Sequence, residues 1–215
     1  MNFETARENM VTRQIRAWDV TNPRVLEAMK TIPREEFVQV PQRKLAFADL
    51  ALPLGHGEFM MKPVVEGRTL QTVNPQSHED ILEVGTGSGY MTALLATLGK
   101  QVDSLDIYPD FIEKAQQRLE KQGINNAHLI KADVFTHQPD RRYDLIVLTG
   151  SVSGQPGFLL DWLKPDGRIF AIVGHAPIMQ AQLIQTKGDS LQMTPAFETY
   201  VPPLKEPAKT SDFTI

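Results

Sequence analysis

The string ILEVGTGSGY, Ile81 to Tyr90, constrains the fold more than any other part of the chain. An apolar run passes through three alternate glycines straight into YMTALLATLG, a segment of helical composition. Between strand and helix the backbone must turn sharply and leave room above itself, and glycines allow both because a Cβ would obstruct the turn or a ligand. A strand feeding a helix in this way implies a crossover unit beside a parallel neighbour. QVDSLDI (101–107), HLIKAD, YDLIVLTG and GRIFAIVG supply the neighbours, each an apolar run followed by turn residues. Asp110 to Gly123 reads as a helix with Ile112, Ala115 and Leu119 inward and Gly123 as its stop. The expected fold is α/β, a doubly wound, mostly parallel, Rossmann-like sheet covered on both faces.

Two extensions flank that sheet. Phe3, Ala6, Met10, Ile15 and Trp18 recur at helical spacing, so the first 45 residues read as mainly helical. Asn22-Pro23 is a helix start, and Val25, Leu26, Met29 and Ile32 form one apolar face behind it. Lys44 to Lys62 reads as loop and Val64 to Val73 as helix. At the other end, AQLIQT and SLQMTPAF around Lys187-Gly188-Asp189 read as a β hairpin. The expected organisation is a helical extension with a substrate-entrance loop over 1–74, packed on a ligand-binding domain over 75–215.

Composition narrows the function. A net charge of −4 argues against a nucleic-acid partner. With no cysteine the chain has no disulfide and no thiolate nucleophile, which suits a cytoplasmic protein. No run approaches the length of a membrane span, and the start lacks a signal-peptide pattern. His56, His78, His128, His137 and His175 are scattered without metal-ligand spacing, so no metal site is expected.

The glycine loop has the spacing G-x-G-x-G, with Tyr90 where a dinucleotide fingerprint carries its third glycine, and no Lys-Ser/Thr follows as in a triphosphate loop. Both features turn the expectation away from nicotinamide and triphosphate ligands. Glu83 before the loop suits an amine or sulfonium better than a pyrophosphate. Asp106, seventeen residues beyond Gly89, ends the next strand, where a carboxylate accepts both ribose hydroxyls of a nucleoside. Asp133 after the third strand is placed to accept an adenine amino group. Acceptors around a cationic nucleoside without phosphate describe S-adenosylmethionine. The expected cofactor-binding set is Glu83, Gly85, Thr86, Gly87, Ser88, Gly89, Asp106, Ile107, Asp133 and Val134. Ser88 echoes a hydrolase nucleophile but lacks the Asp and His context of one.

With these residues in place, the chain resembles a class I methyltransferase and, more specifically, the protein-L-isoaspartate O-methyltransferase family. MVTRQIRAWDVTNPRVLEAMKTIPREEFV resembles the family's opening, with its VL-AM--VPR--FV string. AFADLALPLGHG resembles AY-D-PLPIG-G, LLDWLKPDGRIFAIVG is similar to L--QLKPGGRLV-PVG, and TYVPPL to the closing FVPL. Order and spacing hold from about Met10 to Leu204. The resemblance implies a methyltransferase sheet, S-adenosylmethionine as cofactor and a protein or peptide carboxylate as methyl acceptor. A small-molecule acceptor and a monomer or weak dimer are compatible with it.

The chain departs from the family at one place. Where the family reads close to G-Q-T-I-S-Q-P, this sequence has Gly57-Glu58-Phe59-Met60-Met61-Lys62-Pro63. Met61 stands in the place of the serine most tied to activity, Phe59 replaces the threonine and Lys62 the glutamine, so no residue is assigned a catalytic role. The two methionines either fill the old entrance, as methionine fills irregular gaps, or reshape it for another acceptor. Two functions stay open: a carboxylate methyltransferase with isoaspartyl activity in question, and a non-catalytic protein that binds S-adenosylmethionine or a partner. His56, in the GHG turn, is either a base or substrate contact or a surface-loop residue.

Overall fold

A computed structural model describes residues 2–187 and 190–205. The chain begins with α1 (Phe3–Asn9), capped by the Asn2 side chain, which accepts from the Thr5 amide. It then loosens into a π-helical turn over Met10–Ile15 and tightens into a 3-10 turn over Arg16–Trp18. These changes of pitch break the 3.6-residue period. Met10, Val11 and Ile15 are buried, but Trp18 is 55% exposed rather than inward. The second helix, α2 (Pro23–Thr31), starts as its sequence predicts, with Asn22 accepting from the Arg24 amide and Pro23 at the first position. Val25, Met29 and Ile32 are buried along one side, with Leu26 partly so.

The stretch read as loop contains a small antiparallel hairpin, β1 (Leu52–Gly55) with β2 (Glu58–Met60). Its tip, Gly55-His56-Gly57, has positive φ at all three residues. Then α3 (Pro63–Val73) leads into the main sheet: β3 (Asp80–Val84), α4 (Tyr90–Leu98), β4 (Gln101–Asp106), α5 (Pro109–Lys121), β5 (Ala127–Lys131), β6 (Tyr143–Val152), β7 (Leu163–His175), β8 (Ile178–Lys187) and β9 (Ser190–Thr199). The strand order is β5-β4-β3-β6-β7-β8-β9. Pairings from β5 through to β7 are parallel, while β7-β8 and β8-β9 are antiparallel. The two strands of the expected C-terminal hairpin are therefore present; its Gly188-Asp189 turn lies outside the described residues.

Alternate residues of the parallel strands face two apolar layers. Ile81, Val102, Leu145, Val147, Phe170 and Ile172 join the helices, including Met29, Leu70, Leu94 and Leu119, in one cluster that extends into the N-terminal segment. Leu82, Val84, Leu105, Ile146, Leu148 and Ile169 face the other cluster. That second face is covered without an α-helix among the described residues, by Val134 and Phe135 of an irregular crossover and by a 3-10 turn over Gly157–Trp162. Along α5 the inward residues are Phe111, Ala115 and Leu119, with Ile112 only partly buried. No described helix is long and apolar enough to cross a membrane.

Candidate functional site

The carboxyl ends of parallel strands carry unpaired backbone groups and loops, and ligands of open α/β sheets bind there. A cleft open on one side, with about 110 Å³ of room for water-sized groups, lies at that edge. Gly85 and Gly87 form its floor, with Asp106 and Ile107 at the end of β4, Asp133 and Val134 after β5, and Thr149 and Gly150 on β6. Leu54, Glu58 and Phe59 of the β1–β2 hairpin and Pro202 to Lys205 near the chain end close it from above.

The loop is shaped by what a side chain would hit. A Cβ on Gly85, at φ 101°, would collide with the Thr149 hydroxyl, and one on Gly87, at φ 50°, would lie 3.0 Å from Leu54 Cδ1. The Thr149 hydroxyl donates to the carbonyls of Val84 and Gly85 at 2.9 and 2.7 Å, pinning the end of β3. Asp106 accepts from the Gly87 amide at 2.8 Å and from the Tyr108 amide at 3.0 Å, so one carboxylate fixes the loop and the following turn together. Burial raises its pKa against the lowering effect of those amides, and Glu58 nearby raises it further. Each oxygen keeps a lone pair free for a ligand hydroxyl. Asp133 holds its own turn in the same manner, accepting the Phe135 amide at 3.0 Å on Oδ1.

Six of the ten residues expected from the sequence therefore line one cleft: Gly85, Gly87, Asp106, Ile107, Asp133 and Val134. The other four stand elsewhere. Glu83 and Thr86 turn toward the helix layer. Glu83 Oε2 accepts from Thr92 at 2.5 Å and from Ser104, its neighbour across the β3–β4 pair, at 2.6 Å. Burial pushes its pKa up to about 8, so a largely neutral carboxyl sits beneath the loop with Oε1 unpaired. Thr86 Oγ1 continues the chain to Ser104 at 2.6 Å. The Ser88 hydroxyl accepts from the Tyr90 amide at the start of α4. Gly89 serves packing: a Cβ there would lie 2.9 Å from Ala115 Cβ, which is how α4 and α5 come so close.

The entrance segment also differs from expectation. Met60 and Met61 are 4% and 8% exposed and belong to the helix-side core, not to the cleft. Phe59, 45% exposed, is the residue of this run that faces the cleft together with Glu58. The backbone here is held by Arg34, which is fully buried. Its guanidinium donates to the carbonyls of Met61 at 2.7 Å and Ala46 at 2.8 Å, pairs with Glu66 and lies over the Tyr90 ring at 4.9 Å. Burial outweighs Arg34 and raises the Glu66 pKa to about 7.

No local sequence signal marks the clasp that holds the hairpin down. His56 stacks on Tyr108 with centroids 4.2 Å apart, touches Phe111 edge-on at 5.4 Å, and reaches Asp110 Oδ1 through Nε2 at 2.9 Å. It is thus a surface-loop residue, 44% exposed and outside the cleft, whose ring pins the hairpin. The terminal wall was equally hidden. The Ser151 amide donates to the Pro202 carbonyl and the Leu204 amide to the Ser151 carbonyl, which lays this segment beside β6. The closing VPPL string was the available signal, since paired prolines hold a chain extended.

A nucleoside with a cationic tail fits these residues. The loop positions exclude a Cβ, three carboxylates (Glu58, Asp106 and Asp133) line the cleft against the one ammonium of Lys205, and an orphaned carboxyl oxygen lies beneath the loop. Among the described residues no group of His, Asp and Glu is arranged to hold a metal ion.

The sequence model of the protein-L-isoaspartate(D-aspartate) O-methyltransferase family matches residues 5–207. Protein-L-isoaspartate O-methyltransferase 1 of Syntrophobacter fumaroxidans is 34% identical over 195 residues, covering 90% of this chain and 91% of the relative. The enzyme of the same name from Methanoculleus marisnigri is 37% identical over 169 residues, 78% of this chain and 77% of its own length. Among solved structures, a candidate protein-L-isoaspartate O-methyltransferase of Plasmodium falciparum, in complex with S-adenosyl-L-homocysteine, superposes with a TM-score of 0.80 at 18% identity, covering 95% of this chain and 99% of that one.

Proposed function

The chain belongs to the protein-L-isoaspartate(D-aspartate) O-methyltransferase family, and from that premise we propose that it is an S-adenosylmethionine-dependent carboxylate methyltransferase with an acceptor face rebuilt at Glu58 and Phe59. One observation carries the proposal: Gly85, Gly87, Asp106 and Asp133 converge on a single cleft at the carboxyl edge of the sheet. When bound there, S-adenosylmethionine would supply a methyl group on an electrophilic sulfonium.

The chain's own part is binding and placement. Asp106 takes the ribose, Asp133 the adenine edge, and Ile107 and Val134 the flanks of the base. The β1–β2 hairpin and the Pro202–Lys205 segment exclude water from above. A carboxylate acceptor is ionised at neutral pH, so it needs alignment with the methyl carbon and sulfur rather than a base. In the family a serine contributes to that alignment, and here its place is taken by a buried methionine whose side chain points away from the cleft. A hydrogen bond to a charged partner contributes about 1.5–3 kcal/mol, which is roughly ten- to a hundredfold in rate. Transfer to an isoaspartyl peptide is therefore slow rather than abolished.

Phe59, whose ring lines the cleft where the family carries a hydroxyl, favours a second reading, an S-adenosylmethionine-binding protein without turnover. Calorimetry with S-adenosyl-L-homocysteine and a radiolabel transfer assay on an isoaspartyl peptide separate the two. The expected result is binding, slow transfer, and at least a tenfold gain in a Phe59→Thr/Met61→Ser variant assayed well below its melting temperature. Binding without transfer in either protein establishes the second reading. No binding by the folded chain removes both.

A further inference from the structure

The sheet order gives the cleft a direction. Asp133 follows β5, Asp106 ends β4, Gly85 follows β3, and Thr149 and Gly150 stand on β6. A nucleoside set between Asp133 and Asp106 therefore points its 5′ substituent over the glycine floor toward β6. At that end the cleft wall is the Pro202–Lys205 segment, bonded to Ser151 through the Pro202 carbonyl and the Leu204 amide.

Two opposite charges meet there from separate elements. Glu58 arises from β2 and Lys205 from the terminal segment, and Oε1 and Nζ are 3.6 Å apart, longer than a hydrogen bond. Among the described residues neither side chain has a recorded hydrogen bond or a second ion pair. The remaining acidic groups each already hold part of the chain. Asp106 holds two backbone amides, Asp133 holds its own turn, and Glu83 is sealed under α4 by two hydroxyls. Thus a carboxylate and an ammonium that touch only each other stand together on the cleft wall, on the hairpin and terminal-segment side.

We propose that Glu58 and Lys205 form a clamp for a zwitterion, Glu58 receiving the α-ammonium and Lys205 the α-carboxylate of the methyl donor's amino-acid end. The assignment rests on the cofactor reading above and replaces Glu83 in the role that its sequence position suggested. The loose pair opens by about one hydrogen-bond length to admit a group of matching polarity. Both charges are then satisfied by the ligand instead of by each other. The clamp joins the hairpin to the terminal segment only when the donor or its spent form is present. A nucleoside without the amino-acid end leaves the pair unaltered.

The test uses two ligands that differ only in that end, S-adenosyl-L-homocysteine and 5′-methylthioadenosine, titrated calorimetrically into the full chain and its Glu58→Gln and Lys205→Met variants. Both side chains are partly exposed, at 21% and 55%, so the variants keep the fold, checked by their melting temperatures. Each substitution is expected to weaken S-adenosyl-L-homocysteine roughly ten- to a hundredfold, the effect of losing one charge-assisted bond, and to leave 5′-methylthioadenosine within twofold. Equal affinity of S-adenosyl-L-homocysteine for all three proteins overturns the clamp while leaving the cofactor reading intact. Parallel loss of both ligands overturns it too, because the residues would then act on the nucleoside or on the fold. If wild type binds neither ligand, the cofactor reading falls and the clamp with it.

Discussion

Gly57 and Gly89 share one backbone conformation, with φ +80° and +82°, yet differ in what surrounds them. That pairing allows strain and steric clash to be separated by alanine substitution. An L-residue in the left-handed region costs about 1–2 kcal/mol, partly offset by the roughly 0.4–1 kcal/mol gained by restricting the unfolded chain. Nothing lies within 4 Å of a Cβ at position 57, so Gly57→Ala should cost about 1 kcal/mol or less. At position 89 the new Cβ meets Ala115 Cβ at 2.9 Å and Ala115 Cα at 3.2 Å. The backbone of α5 cannot swing aside as a side chain does, and overpacking of this kind adds about 1–3 kcal/mol. Gly89→Ala should therefore lose about 1–4 kcal/mol in total.

For a chain of this size about 2–4 °C of melting temperature accompanies each kcal/mol. The expected drops are thus up to about 4 °C for Gly57→Ala and about 2–16 °C for Gly89→Ala. Adding Ala115→Gly to Gly89→Ala removes the closer contact and leaves the one with the Cα, so the pair should be less damaging than the sum of its parts by up to about 3 kcal/mol. Since Gly89 does not line the cleft, Gly89→Ala should also keep its affinity for S-adenosyl-L-homocysteine when measured while folded. Equal melting temperatures for the two variants, or strict additivity with Ala115→Gly, would refute the packing role. Loss of ligand affinity in the folded variant would return Gly89 to the cofactor floor.

Arg34→Met leaves Glu66 buried without its partner and should cost about 3–5 kcal/mol in urea denaturation, whereas Arg34→Met/Glu66→Met should recover most of that loss. A double variant as unstable as the single one would mean that the carbonyls of Met61 and Ala46, not Glu66, set the cost. Burial raises Glu83 from 4.5 to about 8, so the folded chain keeps a proton that the unfolded chain releases. Its contribution is complete below about pH 4.5 and lost as pH rises through 8, and Glu83→Gln should flatten that part of the stability profile; unchanged curves would rule it out. Glu66, raised to about 7, adds a decline in the same window, so only the difference between wild type and Glu83→Gln is diagnostic. Asn22→Ala removes the cap of α2 and should cost about 1 kcal/mol by denaturant titration.

How far the sequence discloses the protein depends on the range of the cause. Apolar runs buried on both sides and capping residues act locally, so β3 to β7 and the start of α2 can be read without coordinates. The glycine triplet is also a local signal, but one motif conceals three causes: Gly85 yields to Thr149, Gly87 to Leu54 and Gly89 to Ala115. Two of those partners lie in elements far along the chain, so no spacing rule tells floor from packing. Trp18 and Ile112 fail for another reason. A period of 3.6 fixes which positions share a face, yet the π-helical and 3-10 turns after Asn9 rotate Trp18 outward. In α5 the aromatic contact of Phe111 with His56 and Tyr108 draws in the neighbour of Ile112 instead.

The burial of Met61 follows a physical division within the entrance segment. Its position is set through backbone groups: Arg34 grips the Met61 carbonyl, Pro63 opens α3, and Gly55 and Gly57 bend the hairpin. None of these constraints depends on the side chain at position 61. A hydroxyl can therefore give way to a thioether there without loss of the fold, and the larger side chain gains burial in the helix-side core. The nucleoside end of the cleft has no such freedom, because Asp106 carries both the Gly87 and the Tyr108 amides and its loss would release the loop itself. The side chain at position 61 is thus free to vary in this scaffold, while the glycine floor and Asp106 are held by the fold itself.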